Sequence, residues 1–202
     1  MKDFRATSFT VCCALVMMGF LSVTCHSTEP VGCMGGAAEP AVALLQTHPT
    51  LDQLQKAFAN AAQEFSVPVE IVKAVAYKES AWVHSGPTVD YGYGIMHLVD
   101  NEYCQTLREA AALVGLDPET LKRDPIANIR GGVALIAKYA KETIGKPKTL
   151  EDYWDVLKKF SGLLGDDVQA IQAEEYFALI HDGFSAQNTL GMQIKVAGTP
   201  VD

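Results

Sequence analysis

The chain has 202 residues, of which 49% are hydrophobic and 20% charged, and its formal net charge is −8 with a pI of about 5.1. This length suits one domain with a real core, and the composition is that of a globular chain, not a disordered one. Lys and Arg are few and scattered, which excludes nonspecific nucleic-acid binding, because that needs basic faces that neutralise phosphates.

The first 25 residues have the pattern of an export signal. Lys2 and Arg5 precede an apolar run from Phe9 to Val23, which is shorter than a comfortable membrane span. Cys25 follows this run, and the stretch LSVTC resembles the lipobox of bacterial lipoproteins. Lipidation of Cys25, plain signal-peptide cleavage and a retained membrane helix are the alternatives, in that order of preference. We therefore expect an exported protein, either periplasmic, an outer-membrane lipoprotein or secreted.

Five cysteines are present, and Cys12 and Cys13 fall inside the signal segment. If Cys25 is lipidated, Cys33 and Cys104 remain, and they are either a disulfide pair or two unrelated thiols. No zinc-type spacing of Cys and His occurs, so the sequence predicts no metal site and no cofactor.

Residues 26–47 are rich in Ser, Thr, Pro, Gly and Ala, which is typical of a tether. Helix signals begin directly after it. Thr50 with Gln53 forms a capping-box pattern, and Pro68 suits the first turn of a second helix that runs to about Ser80. Four residues of the first helix share one face: Leu54, Phe58, Ala61 and Phe65.

Further start and stop signals predict five more helices. Gly115 ends one helix, Asp117-Pro118 and Asp124-Pro125 each combine a cap with a first-turn proline, and Thr149 with Asp152 resembles another cap. The residues expected on shared faces are Leu107, Ala110, Ala111 and Val114, then Ile126, Ile129, Val133, Ile136 and Ala140, then Trp154, Leu157 and Phe160, and finally Val168, Ile171, Glu175 and Leu179.

These patterns predict an all-α fold with a domain over residues 48–184. The last helix ends near Gly183, and residues 185–202 form a tail. No alternating strand pattern occurs before residue 188, and residues 189–198 are either a short strand or a loose segment. We expect the domain to be a monomer.

Glu79 stands at the end of an apolar helix face. Ala76, Val75, Val72 and Ile71 precede it at the spacings that a helix places on one side. A carboxyl in such surroundings is poorly solvated, which raises its pKa and lets it donate a proton near neutral pH. A helix-end glutamate whose carboxylate reaches water is the alternative, and these residues alone leave both open.

Three stretches in order, VPVEIVKAVAYKESAW, YGYGIMHL and DPIANIRGGVALIAKY, resemble the lytic transglycosylase domain of the goose-lysozyme-like superfamily over most of the chain. The sequence is also similar to that of the transglycosylase-like module at the front of some secreted N-acetylmuramoyl-L-alanine amidases. The resemblance implies a lysozyme-like helical fold and a peptidoglycan substrate, with Glu79 as the acid/base at the β-1,4 bond between N-acetylmuramic acid and N-acetylglucosamine. It also implies attack by the muramic acid 6-hydroxyl, which leaves a 1,6-anhydro sugar, with lysozyme-type hydrolysis as the alternative.

The resemblance further implies a set of substrate-binding residues. His97 stands where the family usually has Gln, and Phe160 and Ser161 stand where it has Tyr and Asn. By position the set is Ser80, Tyr91, Tyr93, Met96, His97, Phe160, Ser161 and Tyr176. YGYGIMHL is expected to form the cleft wall opposite Glu79, with tyrosines that stack on a sugar ring.

Several of these positions also have a purely structural interpretation. The Ser80 hydroxyl can bond its own helix, Met96 and Tyr176 can belong to the core, and a lone His97 is more often structural than catalytic. Asp90 is the nearest second carboxylate, and for it we favour turn capping. With Asp90 as a turn cap, Glu79 is the single catalytic carboxyl, which favours attack by the muramic acid 6-hydroxyl over hydrolysis.

Two functions follow from the sequence. The first is an exported, glycan-cleaving enzyme with Glu79 as its single catalytic acid. The second is a peptidoglycan-binding module associated with cell-wall amidase activity that has lost turnover, as His97, Phe160 and Ser161 suggest. The retained Glu79-Ser80 pair favours the enzyme. The chain itself is not predicted to be a zinc amidase because its five histidines show no metal spacing, so a partner amidase would be a separate chain.

Overall fold

The structure, a computed structural model, describes residues 48–201. Within this range the chain forms seven α-helices, one short 3-10 helix and two antiparallel hairpins. No helix in the range is both long enough and apolar enough to cross a membrane. The predicted signal segment and tether, with Cys25 and Cys33, lie outside the described residues.

The helices are α1 (Leu51–Phe65), α2 (Val69–Ser80), α3 (Thr106–Val114), α4 (Pro118–Arg123), α5 (Pro125–Thr143), α6 (Trp154–Phe160) and α7 (Asp166–Asp182). The strands are β1 (Gly92–Tyr93), β2 (Leu98–Val99), β3 (Gly183–Gln187) and β4 (Gln193–Ala197). The 3-10 helix Glu151–Tyr153 leads directly into α6. The predicted all-α class is confirmed, because the two hairpins are small additions to a helical body.

The predicted caps of α1, α4 and α5 are present in the structure. The predicted cap at Thr149 is not, because the 3-10 helix begins after Leu150 without a side-chain cap, and only the Asp152 carboxylate bonds back to the Thr149 N–H. Thr50 and Gln53 form the reciprocal capping box of α1. The Asp117 carboxylate accepts a backbone N–H in the first turn of α4, and the Asp124 carboxylate accepts two in the first turn of α5. Gly115 ends α3 in the left-handed conformation, with φ of 68°. Local sequence therefore sets these helix boundaries.

Helix α5 is the centre of the domain, and α1, α3, α4 and α6 pack around it. Eleven of its residues are buried. Gly131 and Gly132 lie in the middle of the helix, and a Cβ at these positions would overlap Leu121 and Met96 respectively. The glycines therefore serve close packing, and this outweighs their cost to helix stability.

Two predicted faces and one helix start differ from the structure. Ile126 is 41% exposed, and on α7 Val168 and Ile171 are exposed as well. The buried residues of α7 are Ala173, Tyr176 and Ile180, because this helix packs on α2 and α6 through that side. Pro68 is the N-cap of α2 and not a residue of its first turn.

The chain ends in a hairpin that packs on the helical body. Strands β3 and β4 pair from Gly183 with Ala197 to Gln187 with Gln193. Ile194 is buried, and the Phe184 ring stacks on Tyr77 with ring centroids 4.1 Å apart. Of the two alternatives for residues 189–198, the strand is therefore the one observed. Strand β3, sequence GFSAQ, was not predicted, because strand formation here comes from pairing and packing more than from intrinsic propensity.

Asn128 joins α5 to the turn between β1 and β2. Its side chain is fully buried; its Oδ1 accepts the Met96 N–H at 2.8 Å, and its Nδ2 donates to the carbonyls of Tyr93 at 3.0 Å and Leu121 at 3.2 Å. Three backbone groups, two buried and one partly buried, therefore depend on one carboxamide.

We expect Asn128→Ala to lower the free energy of unfolding by about 3 kcal/mol, because it leaves buried backbone groups without partners. Asn60→Ala, at an exposed position of α1, is the control and should change stability little. Urea unfolding measures both variants. A loss for Asn128→Ala no larger than that of the control would contradict this role.

Candidate active site

Glu79 lies where α2 ends against the core. The four residues predicted to share its face, Ile71, Val72, Val75 and Ala76, are all fully buried. The Glu79 side chain itself is 16% exposed. Ala81 and Trp82 then adopt left-handed backbone conformations, with φ of 50° and 60°, which turn the chain sharply away from the helix. The predicted apolar face that ends in an acid is confirmed.

Tyr176 brings a hydroxyl from α7 to this carboxyl. It is fully buried, and its hydroxyl donates a hydrogen bond to Glu79 Oε1. Burial, the nearby Glu79 charge and this hydrogen bond raise the pKa of Tyr176, although a hydrogen bond from Gln172 opposes the shift. The phenol therefore stays protonated and acts as a donor. Tyr176 is both a core residue and a direct partner of Glu79.

The Glu79 carboxyl holds its proton more firmly than an ordinary glutamate. Burial raises its pKa, and this effect exceeds the opposing hydrogen bond from Tyr176 and the attraction of His97 and Lys78. The Asp90 charge raises the pKa further. Desolvation of the charged form is thus the dominant cause, which is the environment that suits a general acid.

His97 and Asp90 face Glu79 from the β1–β2 region. His97 Nδ1 lies 3.5 Å from Glu79 Oε2, and its Nε2 lies 3.3 Å from Asp90 Oδ1. The Thr88 hydroxyl donates to Asp90 Oδ1 at 2.6 Å and lies 3.0 Å from His97 Nε2. Only glycine fits at residue 92, because a Cβ there would overlap the His97 ring. A carboxyl, an imidazole and a second carboxyl therefore stand in a row.

Asp90 does more than the turn capping that the sequence favours. Partial burial raises its pKa, but hydrogen bonds from Thr88 and from backbone N–H groups of the turn, together with the His97 charge, outweigh burial, so the net shift is downward. The backbone bonds are the predicted cap. The contact with His97 is additional and places Asp90 on the cleft wall.

A cleft of about 380 Å³ opens beside Glu79. This volume lies within the range of small-ligand sites, about 300–1,000 Å³. One side is formed by the β1–β2 region and the residues after it, the other by α5, the end of α6 and the start of α7. It is lined by Glu79, Asp90, His97, Leu98, Val99, Asn101, Tyr103, Cys104, Thr106, Leu135, Phe160, Ser161, Gly162, Leu163, Leu164 and Gln172.

Three of the predicted substrate-binding residues line this cleft: His97, Phe160 and Ser161. The Ser161 hydroxyl donates to the Lys158 carbonyl at 2.7 Å, so its proton is already engaged. The Ser80 hydroxyl lies 3.1 Å from the Ala76 carbonyl and 2.8 Å from that of Ile95. Ser80 thus ties the end of α2 to the turn that carries His97, and it does not line the cleft.

The other predicted contacts lie elsewhere. Met96 is 1% exposed and packs against α5, so its assignment as a substrate-binding residue is wrong and its core role is right. The Tyr93 ring lies under the Lys122 ammonium, 4.7 Å from ring centroid to Nζ. Neither Tyr93 nor the exposed Tyr91 lines the cleft.

The sequence missed several cleft residues. Tyr103, 90% exposed, is the tyrosine that stands at the cleft. Gln172 on α7 lines the cleft and bonds Tyr176. Leu163 and Leu164, between α6 and α7, add an apolar rim. No local motif distinguishes these residues, because the folding of distant segments brings them to Glu79. In the part of the chain that the structure describes, no group of three His, Cys, Asp or Glu could hold a metal ion.

The sequence was compared with known proteins and families. A family model described as Transglycosylase SLT domain matches residues 56–158, just over half of the chain. The match includes Glu79, Asp90 and His97 and ends before Phe160 and Tyr176. Comparison with curated proteins and with solved structures finds no significant match.

We expect Glu79→Gln to stabilise the fold at neutral pH. Because the folded-state pKa of Glu79 is raised, the contribution of Glu79 to the free energy of unfolding is largest below the ordinary glutamate pKa and falls as the pH rises towards the folded value. Glutamine does not titrate. The free energy of unfolding of Glu79→Gln should therefore exceed that of the wild type only slightly in acid. The difference should grow with pH until Glu79 has ionised in the folded state, as measured by urea unfolding across the pH range.

Glu70→Gln, at the other end of the same helix, is the matched control and should show no such pH-dependent gain. A gain for Glu79→Gln that is equally large in acid would show that burial does not raise the pKa of this carboxyl.

Proposed function

Because the chain belongs to the transglycosylase SLT domain family, which has a lysozyme-like fold and cleaves peptidoglycan, we propose that Glu79 is its catalytic acid/base. The observation that supports this role most is the carboxyl at the end of the apolar face of α2. It is largely buried, hydrogen-bonded by Tyr176 and open to the cleft. A helix-end glutamate that merely reached water would show none of these features.

The proposed reaction breaks the β-1,4 bond between N-acetylmuramic acid and N-acetylglucosamine. Glu79, protonated because burial raises its pKa, gives its proton to the leaving glycosidic oxygen. The 6-hydroxyl of the muramic acid forms a new bond to C1 of the same sugar, and its proton passes to the Glu79 carboxylate. The products are a 1,6-anhydro sugar and a free 4-hydroxyl, and the acid is regenerated without water.

The cleft supplies sugar-binding surfaces of two kinds. Tyr103 and Phe160 offer aromatic faces, and Leu163 and Leu164 offer apolar contacts beside them. Phe160 lacks the hydroxyl that the resembled family usually places there, and the Ser161 hydroxyl is held by its own helix end. These two positions favour the second candidate, a binding module with little turnover. The experiment below distinguishes this module from the enzyme.

We expect the wild-type protein to release 1,6-anhydro muropeptides from purified peptidoglycan, and Glu79→Gln to reduce this release by at least about 10²-fold, the lower end of what a positioned general acid contributes. Glu70→Gln is the control and should cleave like the wild type. Mass spectrometry distinguishes anhydro products from reducing ends, which differ by one water.

Reducing ends that disappear in Glu79→Gln would mean a lysozyme-type hydrolase with the same acid. Wild-type protein that sediments with peptidoglycan and releases no product would mean the binding module. Undiminished cleavage by Glu79→Gln would exclude Glu79 as the acid.

We also propose that the protein works outside the cytoplasm, where peptidoglycan lies. The predicted signal segment of residues 1–25 supports export, and Cys25 is the candidate lipid anchor. Fractionation of cells that carry the full chain should place the wild type in the membrane fraction and Cys25→Ser in the soluble exported fraction. A wild type that remains in the cytoplasm would contradict export.

A further inference from the structure

The imidazole of His97 lies between the proposed acid and a second carboxylate. Its Nδ1 faces Glu79 Oε2 at 3.5 Å, while its Nε2 faces Thr88 Oγ1 at 3.0 Å and Asp90 Oδ1 at 3.3 Å. The side chain is 24% exposed, so one edge of the ring reaches the cleft. The backbone of His97 is left-handed, with φ of 47°, and the ring occupies the space left by Gly92.

The hydrogen bonds of Thr88 determine which ring nitrogen carries the proton. The Thr88 hydroxyl donates to Asp90 Oδ1 at 2.6 Å, and its oxygen accepts the Gly92 N–H at 2.8 Å. Since its single proton is given to Asp90, Thr88 can only accept from His97, and an ionised Asp90 can also only accept. Both partners therefore require a proton on Nε2. When the ring is neutral, Nδ1 is therefore an acceptor directed at Glu79. The attraction that lowers the pKa of Glu79 belongs to the protonated ring, in which Nδ1 also carries a proton.

The hydrogen bonds of Glu79 determine which of its oxygens carries the acidic proton. The raised pKa of Tyr176 keeps the phenol a donor, and it donates to Oε1. The proton of the neutral carboxyl therefore belongs on Oε2, the oxygen that faces His97 Nδ1. A separation of 3.5 Å is long for an O–H···N bond, so a leaving oxygen in the cleft can displace this contact.

From these contacts we propose that His97 is a positioning residue for Glu79: Thr88 and Asp90 fix its ring so that Nδ1 directs the acidic proton of Oε2 towards the cleft. This inference rests on the proposed function. It assigns Asp90 an indirect role, through His97, in a reaction that needs only one carboxyl at the bond. Lys78, the other charged group near Glu79, is ion-paired with Glu175 at 2.5 Å.

A double-mutant cycle on the turnover of peptidoglycan tests this dependence. His97→Ala should lower kcat about 10- to 100-fold with KM within about twofold, because the acidic proton loses its acceptor while the other cleft residues are kept. Asp90→Asn should lower kcat about 10-fold in the wild type and less than about twofold in His97→Ala, because residues that act through one another are not additive.

A conservative variant and a control pair complete this measurement. His97→Asn places its amide oxygen as many bonds from Cα as Nδ1, and Asn tolerates the left-handed backbone, so it should recover at least about threefold in kcat over His97→Ala. His181→Gln and Asp182→Asn alter a similar His–Asp pair, 2.7 Å apart, on the exposed end of α7. Neither should change kcat.

The tautomer of His97 gives a readout that needs no turnover. Nitrogen-15 NMR at about pH 8, above the ordinary range of a histidine, should show the proton of the neutral ring on Nε2 in the wild type. Asp90→Asn should produce a mixture of tautomers, because an amide can donate to Nε2 as well as accept from it.

Wild-type kcat in His97→Ala, additive losses in the cycle, or a wild-type ring protonated on Nδ1 would each overturn the inference and leave the proposed glycan cleavage standing. A wild type that releases no product would instead remove the proposed function, and the inference with it.

Discussion

The site depends on the cost of burying one carboxyl. Glu79 extends the apolar face formed by Val72 and Val75, and removal from water disfavours its ionised form more than Tyr176 and His97 favour it. The result is an acid that keeps its proton where an exposed glutamate would lose it. The same burial that gives the group its chemistry makes it a burden on stability once it ionises.

The rest of the fold holds two walls at a fixed distance from that carboxyl. Asn128 satisfies the backbone on both sides of the β1–β2 turn from its place in α5, and the Ser80 hydroxyl bonds the Ile95 carbonyl from the end of α2. The wall that carries His97 is therefore tied to the helix that carries Glu79. Helix α7 brings Tyr176 from the other side. These are short polar links between rigid elements, which is how a site keeps its geometry.

The residues that match the family model do not include the whole lining of the cleft. The match ends at residue 158, whereas Phe160, the Leu163–Leu164 rim, Gln172 and Tyr176 follow it. The acid and its facing wall thus lie within the matched range, and the opposite wall lies beyond it except for Leu135 of α5. Differences in glycan selectivity within this fold would be expected to arise from that second wall.

The sequence alone determined most of the helix boundaries and the place of the acid. Capping side chains such as Thr50, Asp117 and Asp124 act within one turn of their own position, so their effect can be predicted locally. The apolar residues before Glu79 share a face through helix geometry alone, and the structure shows them buried.

Only the tertiary structure decided what surrounds that acid. The contact of Asp90 with His97, the place of Tyr103 in the cleft and the buried face of α7 all depend on segments far apart in the chain. Val168 and Ile171 have the spacing of a buried stripe and yet are exposed, because the neighbours of α7 select a different face. Periodicity shows that a helix has an apolar side, but packing against other elements decides which side is buried and which polar groups meet there.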